Sequence, residues 1–310
     1  MLWKKKLKGV LSCAFEENRD LSPLSALGVG GRAEVFAEPS RVEDICALFR
    51  LRKETGFPLY ILGGGTNVVF ADGDLEGLVL STRGLKETTR VLGEDPLETL
   101  VSVDAGYLLP CLVRETVLEG LSGLEFAFGI PGTVGGAVAG NAGAGGRSAA
   151  ELLEEVVTLE NDGEIKKWKR ADFHYAYRHF SLTAPDRLIL RCKLRLKSAP
   201  RAEIEDTLAR FRSVRSGQPH GERSAGCAFK NPPGDAAGRM LDVCGCKGMR
   251  VGGAVVSDSH ANFILNANNA RGEDIFRLVE LCRDIVFQKT GVCLEPEIKF
   301  MGFSENIEMT

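Results

Sequence analysis

Apolar residues recur along this chain in two rhythms, one of three to four residues and one of two, and the switches between them outline its elements. In residues 40–56, Val42, Ile45 and Phe49 share one helical face, Ser40 and Glu43 have the spacing of a capping box, and Gly56 is placed to end the helix. The runs LYIL (59–62) and GLVLS (77–81), and then residues 100–103, read as strands. A helix is expected over residues 109–119, with Gly120 as its stop. Strand and helix alternate up to this point. Residues 120–146 then hold ten glycines in 27, too many for regular structure, so a loop built around a ligand or a compact turn system is expected there.

Beyond that loop the rhythm shortens to two. Residues 156–159 and 165–168, joined by Asn161, Asp162 and Gly163, predict an antiparallel hairpin. Residues 187–197 alternate strictly, with Leu188, Leu190, Cys192, Leu194 and Leu196 on one face and mostly Arg and Lys on the other, which predicts a half-exposed strand. Helical spacing returns over residues 202–215 with Ile204, Leu208 and Phe211, and Ser216, Gly217, Gln218 and Pro219 close it, so a domain boundary is placed near Pro200. The last third predicts a short helix (235–244), strands at 253–257 and 261–265, a long helix (272–289) and a final strand over 293–300. The mixture is α+β, and no internal repeat or low-complexity stretch interrupts it.

Composition narrows the choice of function. With 39 Lys and Arg against 42 Asp and Glu, the net charge of −3 gives no broad basic field for nucleic acid or an anionic membrane surface. No stretch approaches the roughly 20 apolar residues of a membrane span. The opening residues 1–20 are basic, yet their apolar part is short and Glu16 and Glu17 follow at once, so they read as a surface helix of a cytoplasmic protein rather than a signal peptide. Nine cysteines without a CxxC, beside only four histidines, favour free thiols over a disulfide framework or a metal site. Glycine is abundant, at 36 of 310 residues against a usual share of about 7%.

Two glycine clusters carry the candidate chemistry. In ILGGGTNVVF (61–70), Gly63, Gly64 and Gly65 follow a strand, so backbone N–H groups can close on a phosphate while Thr66 and Asn67 add hydrogen bonds; a plain turn between strands is the alternative. It is neither GxGxxG nor a P-loop. In GIPGTVGGAVAGNAGAGG (129–146), Pro131 fixes one backbone angle beside glycines that permit unusual ones, which suits a rigid nest of amides; a purely structural loop is the alternative. Two such loops point to a long bipartite ligand such as a dinucleotide.

Together with LSALGVGGRAEVFAEP (24–39), these loops resemble the flavin-binding half of the UDP-N-acetylenolpyruvoylglucosamine reductases, the MurB family. YAYRHF (175–180), SAGCAFKNP (224–232), AGRMLDVCGCKGMRVGGAVVSDSHANFILN (237–266) and LEPEIKFMG (294–302) extend the resemblance over residues 20–302. It implies the shorter branch of the family and an α+β fold, with a two-subdomain FAD-binding region of the PCMH/vanillyl-alcohol-oxidase type (1–84 and 85–199), a C-terminal α+β substrate-binding domain (200–298) and a tail (299–310). It further implies NADPH-dependent, FAD-mediated reduction of UDP-N-acetylglucosamine enolpyruvate to UDP-N-acetylmuramate by a cytoplasmic monomer, with a UDP-sugar and NADPH as its small-molecule partners. The FAD would be noncovalent, held by Gly63, Gly64, Gly65, Thr66, Asn67, Gly129, Ile130, Pro131, Gly132, Gly135, Gly136, Asn141, Ala142 and Gly143.

That chemistry needs a hydride on the vinyl carbon, stabilisation of charge building toward the carboxylate, and a proton for the other carbon. Arg178 is a bidentate cation for the developing charge, the alternative being a surface salt bridge. Glu297 is chosen over Glu295 because the family's glutamate stands immediately before the aliphatic residue of the last strand. Cys227 stands where many relatives carry the proton-donating serine; a thiol with a reference pKa of about 8.5 can keep that role, and a buried, inert cysteine is the alternative. Tyr177, Lys230, Asn231, His260 and Asn262 are the expected substrate contacts, with a structural role for His260 equally open. In YRHFS, Phe180 occupies the place where relatives commonly have Ser, and Ser181 follows one later. The rival readings are an FAD-dependent oxidase of the same superfamily, which would consume oxygen rapidly, and a non-catalytic flavin- or UDP-sugar-binding module, which would bind without turnover.

Overall fold

A computed structural model describes residues 2–219 and 221–303. Its contacts divide the chain into two compact units, the first formed by Met1–Phe15, Phe36–Gly64 and Leu78–Ser216, the second by Glu16–Val35, Gly65–Gly77 and Gly217–Thr310. The mixed α+β class is as expected.

The first unit is organised by the strand Leu188–Ser198. It pairs antiparallel with Leu153–Leu159 on one side and Glu98–Asp104 on the other, and the sheet continues outward to Ile165–Lys169 and Thr88–Leu92. The predicted alternation holds from Cys192 onward, where Cys192, Leu194 and Leu196 are buried in the unit's core with Val101, Val103, Leu112 and Phe126, whereas Leu188, Ile189 and Leu190 are all buried, next to a register shift between Val157 and Thr158. Burial pushes the Cys192 thiol up to about 12, so it stays protonated and inert. The opposite face is a ladder of ion pairs rather than bare charge. Arg191 reaches Asp104 at 2.6 Å, and Arg195 meets Glu154 at 2.7 Å and also Glu98. The strand Leu59–Leu62 pairs in parallel with residues 78–81.

Two expectations change in this unit. The helix Val42–Thr55 starts two residues past Ser40, its N-cap is Arg41, and no side chain caps it, so the Ser40–Glu43 capping box does not form; Gly56 does end it, at φ 70°. Residues 120–146 also contain regular structure after all, the six-residue helix Val134–Ala139 capped by Thr133. Glycine is compatible with that helix because it packs against the end of a strand. A Cβ on Gly135 would lie 2.6 Å from that of Ala105.

In the second unit the strands Ser224–Cys227, Phe263–Asn266, Ala254–Val256 and Arg250–Val251 form an antiparallel sheet, and Lys299–Met301 pairs in parallel with Val68–Phe70. The helix Gly272–Thr290 buries Ile275, Leu278, Val279, Cys282 and Val286 in a core with Phe229, Leu241 and Ile264. Its first N–H groups, on Gly272 and Glu273, donate to the Asp72 carboxylate at 2.8 and 3.0 Å, satisfying donors the helix itself cannot. The strand expected over 293–300 is shortened to Lys299–Met301; before it there is only an isolated bridge between Pro296 and Phe229. Pro296 has no N–H for a ladder. Residues 304–310 of the expected tail lie outside the described residues.

Because Leu194 is 3% exposed, Leu194→Ala should cost about 2–5 kcal/mol. Lys193→Ala breaks a surface pair to Glu155 at 3.7 Å and should cost about 0–1 kcal/mol. Urea unfolding followed by circular dichroism compares them, and equal losses would contradict the assignment of the two faces.

Candidate active site

The two glycine loops meet within the first unit. A Cβ on Gly64 would sit 2.6 Å from the Gly132 Cα, and one on Gly63 would sit 2.8 Å from the Thr133 Oγ1. The loops therefore touch backbone to backbone, which any side chain at Gly64 prevents. Gly129, at φ 74°, Pro131 and Gly136 are exposed along this wall. Other predicted loop residues serve the fold. Gly135 N–H donates to Ala105 O at 2.8 Å, Ala142 N–H to Ala137 O at 2.7 Å, and a Cβ on Gly143 would fall 2.3 Å from Arg147 O in a tight hairpin. Ile130 N–H closes a turn on Ala127 O at 2.9 Å. Gly65 belongs to the second unit, at φ 66°, where a Cβ would strike Leu24 O at 1.7 Å.

Arg178 stands at the tip of a two-residue turn between Tyr175–Ala176 and His179–Phe180, with φ 52°. A left-handed conformation in a non-glycine residue is uncommon and concentrates at functional sites. Its guanidinium lies over the Tyr177 ring, 5.4 Å from the centroid. Asn141, buried and itself at φ 41°, ties the glycine loop to this hairpin: its Nδ2 donates to Ala176 O at 2.8 Å and its Oδ1 accepts from Ala150 N–H at 3.0 Å. Both ends of the amide are thus engaged by protein. Ser181, the displaced serine, accepts from His174 N–H at 3.0 Å. Sequence reasoning missed two cations here. The helix Arg201–Arg215 lays Arg212 over the Phe128 ring at 4.8 Å and brings the Arg215 Nη1 to Gly129 O at 3.5 Å. Their three-residue spacing near a helix C-terminus was the available signal.

Cys227 and Glu297 come together in the second unit. The register runs Ser224 to Leu265 and Cys227 to Phe263, so one extra residue bulges between them, at Ala225–Gly226, with Gly226 at φ 79°. A bulge of this kind re-aims the side chains beside it. Cys227 is half-buried and packs against the cluster of Val255, Phe263 and Leu265. The next residue, Ala228, accepts from Glu297 N–H at 2.7 Å, and Glu297 O accepts from the Asn67 Nδ2 at 2.9 Å. The two predicted catalytic residues are therefore held on adjacent, hydrogen-bonded segments. Glu295 is engaged elsewhere, in an ion pair with Lys230 on the exposed edge.

The remaining expected contacts divide. Asn231 is exposed, and its Oδ1 accepts from Ala237 N–H at 3.0 Å, capping the helix Ala237–Val243. The His260 Nδ1 accepts from Asn262 N–H at 3.2 Å, and burial lowers the imidazole's pKa. A neutral ring accepting at Nδ1 carries its proton on Nε2, which makes Nε2–H its donor. Asn262 is 3% exposed, and both ends of its carboxamide bond the backbone of Phe229. Among the described residues no group of three or more His, Cys, Asp or Glu is arranged to hold a metal, and no helix is long and apolar enough to cross a membrane.

Two family models match successive parts of the chain. Residues 33–169 match the model of an FAD binding domain, and residues 218–301 match that of the UDP-N-acetylenolpyruvoylglucosamine reductase C-terminal domain. The chain is 40% identical over 298 residues to the UDP-N-acetylenolpyruvoylglucosamine reductase of Geobacter metallireducens, covering 96% of this chain and 97% of that protein. It is 39% identical over 302 residues to the reductase of the same description from Rubrobacter xylanophilus, covering 95% and 98%. The crystal structure of UDP-N-acetylenolpyruvylglucosamine reductase (MurB) from Thermus caldophilus superposes with a TM-score of 0.77 at 35% identity, over 93% of this chain and 98% of that one.

Gly64→Ala should push the two loops apart and lower stability by about 1–3 kcal/mol, the usual cost of overpacking. Gly73→Ala, where a Cβ meets nothing within 4 Å, is the control. Thermal unfolding distinguishes them, and a Gly64→Ala protein as stable as the control would remove the backbone contact from the account.

Proposed function

The chain belongs to the UDP-N-acetylenolpyruvoylglucosamine reductase family, and on that basis we propose that it reduces UDP-N-acetylglucosamine enolpyruvate to UDP-N-acetylmuramate with NADPH, through a noncovalent FAD, in the cytoplasmic synthesis of peptidoglycan precursors. The observation that supports this reading is the hydrogen bond from Glu297 N–H to Ala228 O at 2.7 Å, which holds the backbone of Glu297 against the residue that follows Cys227. In functional terms residues 1–84 and 85–199 hold the flavin and residues 200–298 the substrate.

The residues present fit FAD. The loops around Gly64 and Gly132 offer bare backbone, and Arg212 and Arg215 place guanidinium groups against residues 128 and 129, suited to a diphosphate. Gly63, Gly64, Thr66, Asn67, Gly129, Ile130, Pro131, Gly132 and Gly136 would line it, with Gly65, Gly135, Asn141, Ala142 and Gly143 shaping the loops behind. When bound, FAD supplies the hydride for the terminal vinyl carbon, after NADPH has delivered the reducing equivalents.

The chain's own residues handle charge and proton. As the vinyl carbon is reduced, negative charge builds on the ether-bearing carbon and spreads into its carboxylate. Arg178 is the cation for that charge, and Glu297 hydrogen-bonds the carboxylate or relays a proton, an interaction stronger in the transition state than in the ground state. The Cys227 S–H bond breaks as the new C–H bond forms, and the thiolate is reprotonated from solvent. Tyr177, Lys230, Asn231 and His260 orient the UDP-sugar.

Cys227→Ala should lose about 10²- to 10⁴-fold in turnover, the range for removing a positioned acid, whereas Cys227→Ser should retain part of it. Near-normal turnover in the alanine variant would make this a merely buried thiol. Glu297→Gln and Glu295→Gln should both allow rapid bleaching of the flavin by NADPH, with slow reoxidation by the enolpyruvyl substrate only in Glu297→Gln. A defect confined to Glu295→Gln would transfer the role to that residue.

A further inference from the structure

The sheet of the second unit stops short of the residues that matter most. After the pair Cys227 and Phe263 no regular rung follows, yet Ala228 and Phe229 are 1% exposed each, so their backbone polar groups must find partners away from water. One residue supplies three of the four. Ala228 N–H donates to Asn262 O at 2.8 Å, Phe229 N–H donates to the Asn262 Oδ1 at 2.9 Å, and the Asn262 Nδ2 donates to Phe229 O at 2.8 Å. A carboxamide carries the same donor and acceptor as a peptide unit. Asn262 therefore adds a surrogate rung to the ladder using its side chain.

The far side of the same segment faces residues 295–297. Ala228 O accepts from Glu297 N–H at 2.7 Å, and Lys230 N–H donates to Glu295 O at 2.9 Å. Asn262 thus grips one edge of residues 228–230 while the Glu297 segment grips the other. Displacing Phe229 would shift Cys227 and Glu297 relative to each other.

We infer that Asn262 is a positioning residue for the reduction, holding the Cys227 thiol in register with the Glu297 carboxyl, and is not a substrate contact. The inference rests on the proposed roles of Cys227 and Glu297. Asn262 is 3% exposed, and both ends of its carboxamide are turned to the backbone of Phe229.

The test compares Asn262→Ala, which removes both side-chain bonds, with Asn262→Asp, which keeps the acceptor for Phe229 N–H and loses the donor to Phe229 O. Asn262→Asp is read alone if the alanine variant does not accumulate as folded protein. In anaerobic stopped-flow experiments on the flavin-loaded enzyme, bleaching by NADPH should stay within about twofold of the parent, and reoxidation by the enolpyruvyl substrate should slow about 10- to 100-fold, as expected for a misplaced catalytic group. The substrate's Kd should change less than about threefold, because a positioning residue acts on the rate. Amide hydrogen exchange at Ala228 and Phe229 should accelerate, and iodoacetamide should alkylate Cys227 at an altered rate, read by peptide mass spectrometry. A large rise in Kd at unchanged reoxidation rate would make Asn262 a substrate contact. Unchanged reoxidation and alkylation together would also overturn the role. If the parent enzyme itself fails to reoxidise with this substrate, the proposed function falls instead.

Discussion

Backbone that is buried without a regular ladder must still be hydrogen-bonded, and in this protein that requirement builds the proposed proton-transfer site. Ala228 and Phe229 sit 1% exposed between two segments, and their four polar groups are satisfied by Asn262 on one edge and Glu297 on the other. The bulge at Gly226 then sets the direction of the Cys227 side chain as the strand enters this arrangement. The chemistry assigned to thiol and carboxyl depends on a geometry fixed by main-chain bonds rather than by the reactive groups themselves.

The same economy governs the first unit. Gly64 and Gly132 make a wall out of two loops far apart in the chain because neither carries a side chain. Asn141 then joins the second loop to the hairpin that displays Arg178. Both buried asparagines use donor and acceptor at once on backbone near a residue proposed to be catalytic, Asn141 at Ala176 and Asn262 at Phe229. An amide suits this task because it is uncharged, so its burial costs little once both ends are bonded.

Much of this was legible in the sequence, and the parts that were not share a cause. Local rhythm sufficed for the helix Val42–Thr55, the strand Leu59–Leu62, the hub strand Leu188–Ser198 and the helix Gly272–Thr290. Spacing singled out both glycine loops, and the family resemblance singled out Arg178, Cys227 and Glu297 as candidates. Periodicity could not reveal that the Asp72 carboxylate caps Gly272 and Glu273, or that the basic face of Leu188–Ser198 is matched by Asp104, Glu98 and Glu154. Those depend on partners distant in the chain. Two local signals also misled: Ser40 had the right spacing for a cap but lay outside the helix, and glycine density hid a helix at Val134–Ala139, in which close packing against Ala105 requires a glycine at position 135.

In the proposed reaction this chain carries reducing equivalents from NADPH through a bound flavin to an enolpyruvyl ether. Sequential anaerobic mixing, first with NADPH and then with UDP-N-acetylglucosamine enolpyruvate, tests it directly when flavin absorbance is followed at each stage. The account predicts bleaching in the first stage and recovery of the oxidised spectrum in the second, with one equivalent of UDP-N-acetylmuramate formed per flavin. A reduced flavin that ignores the enolpyruvyl substrate but recovers rapidly on admission of oxygen would contradict it.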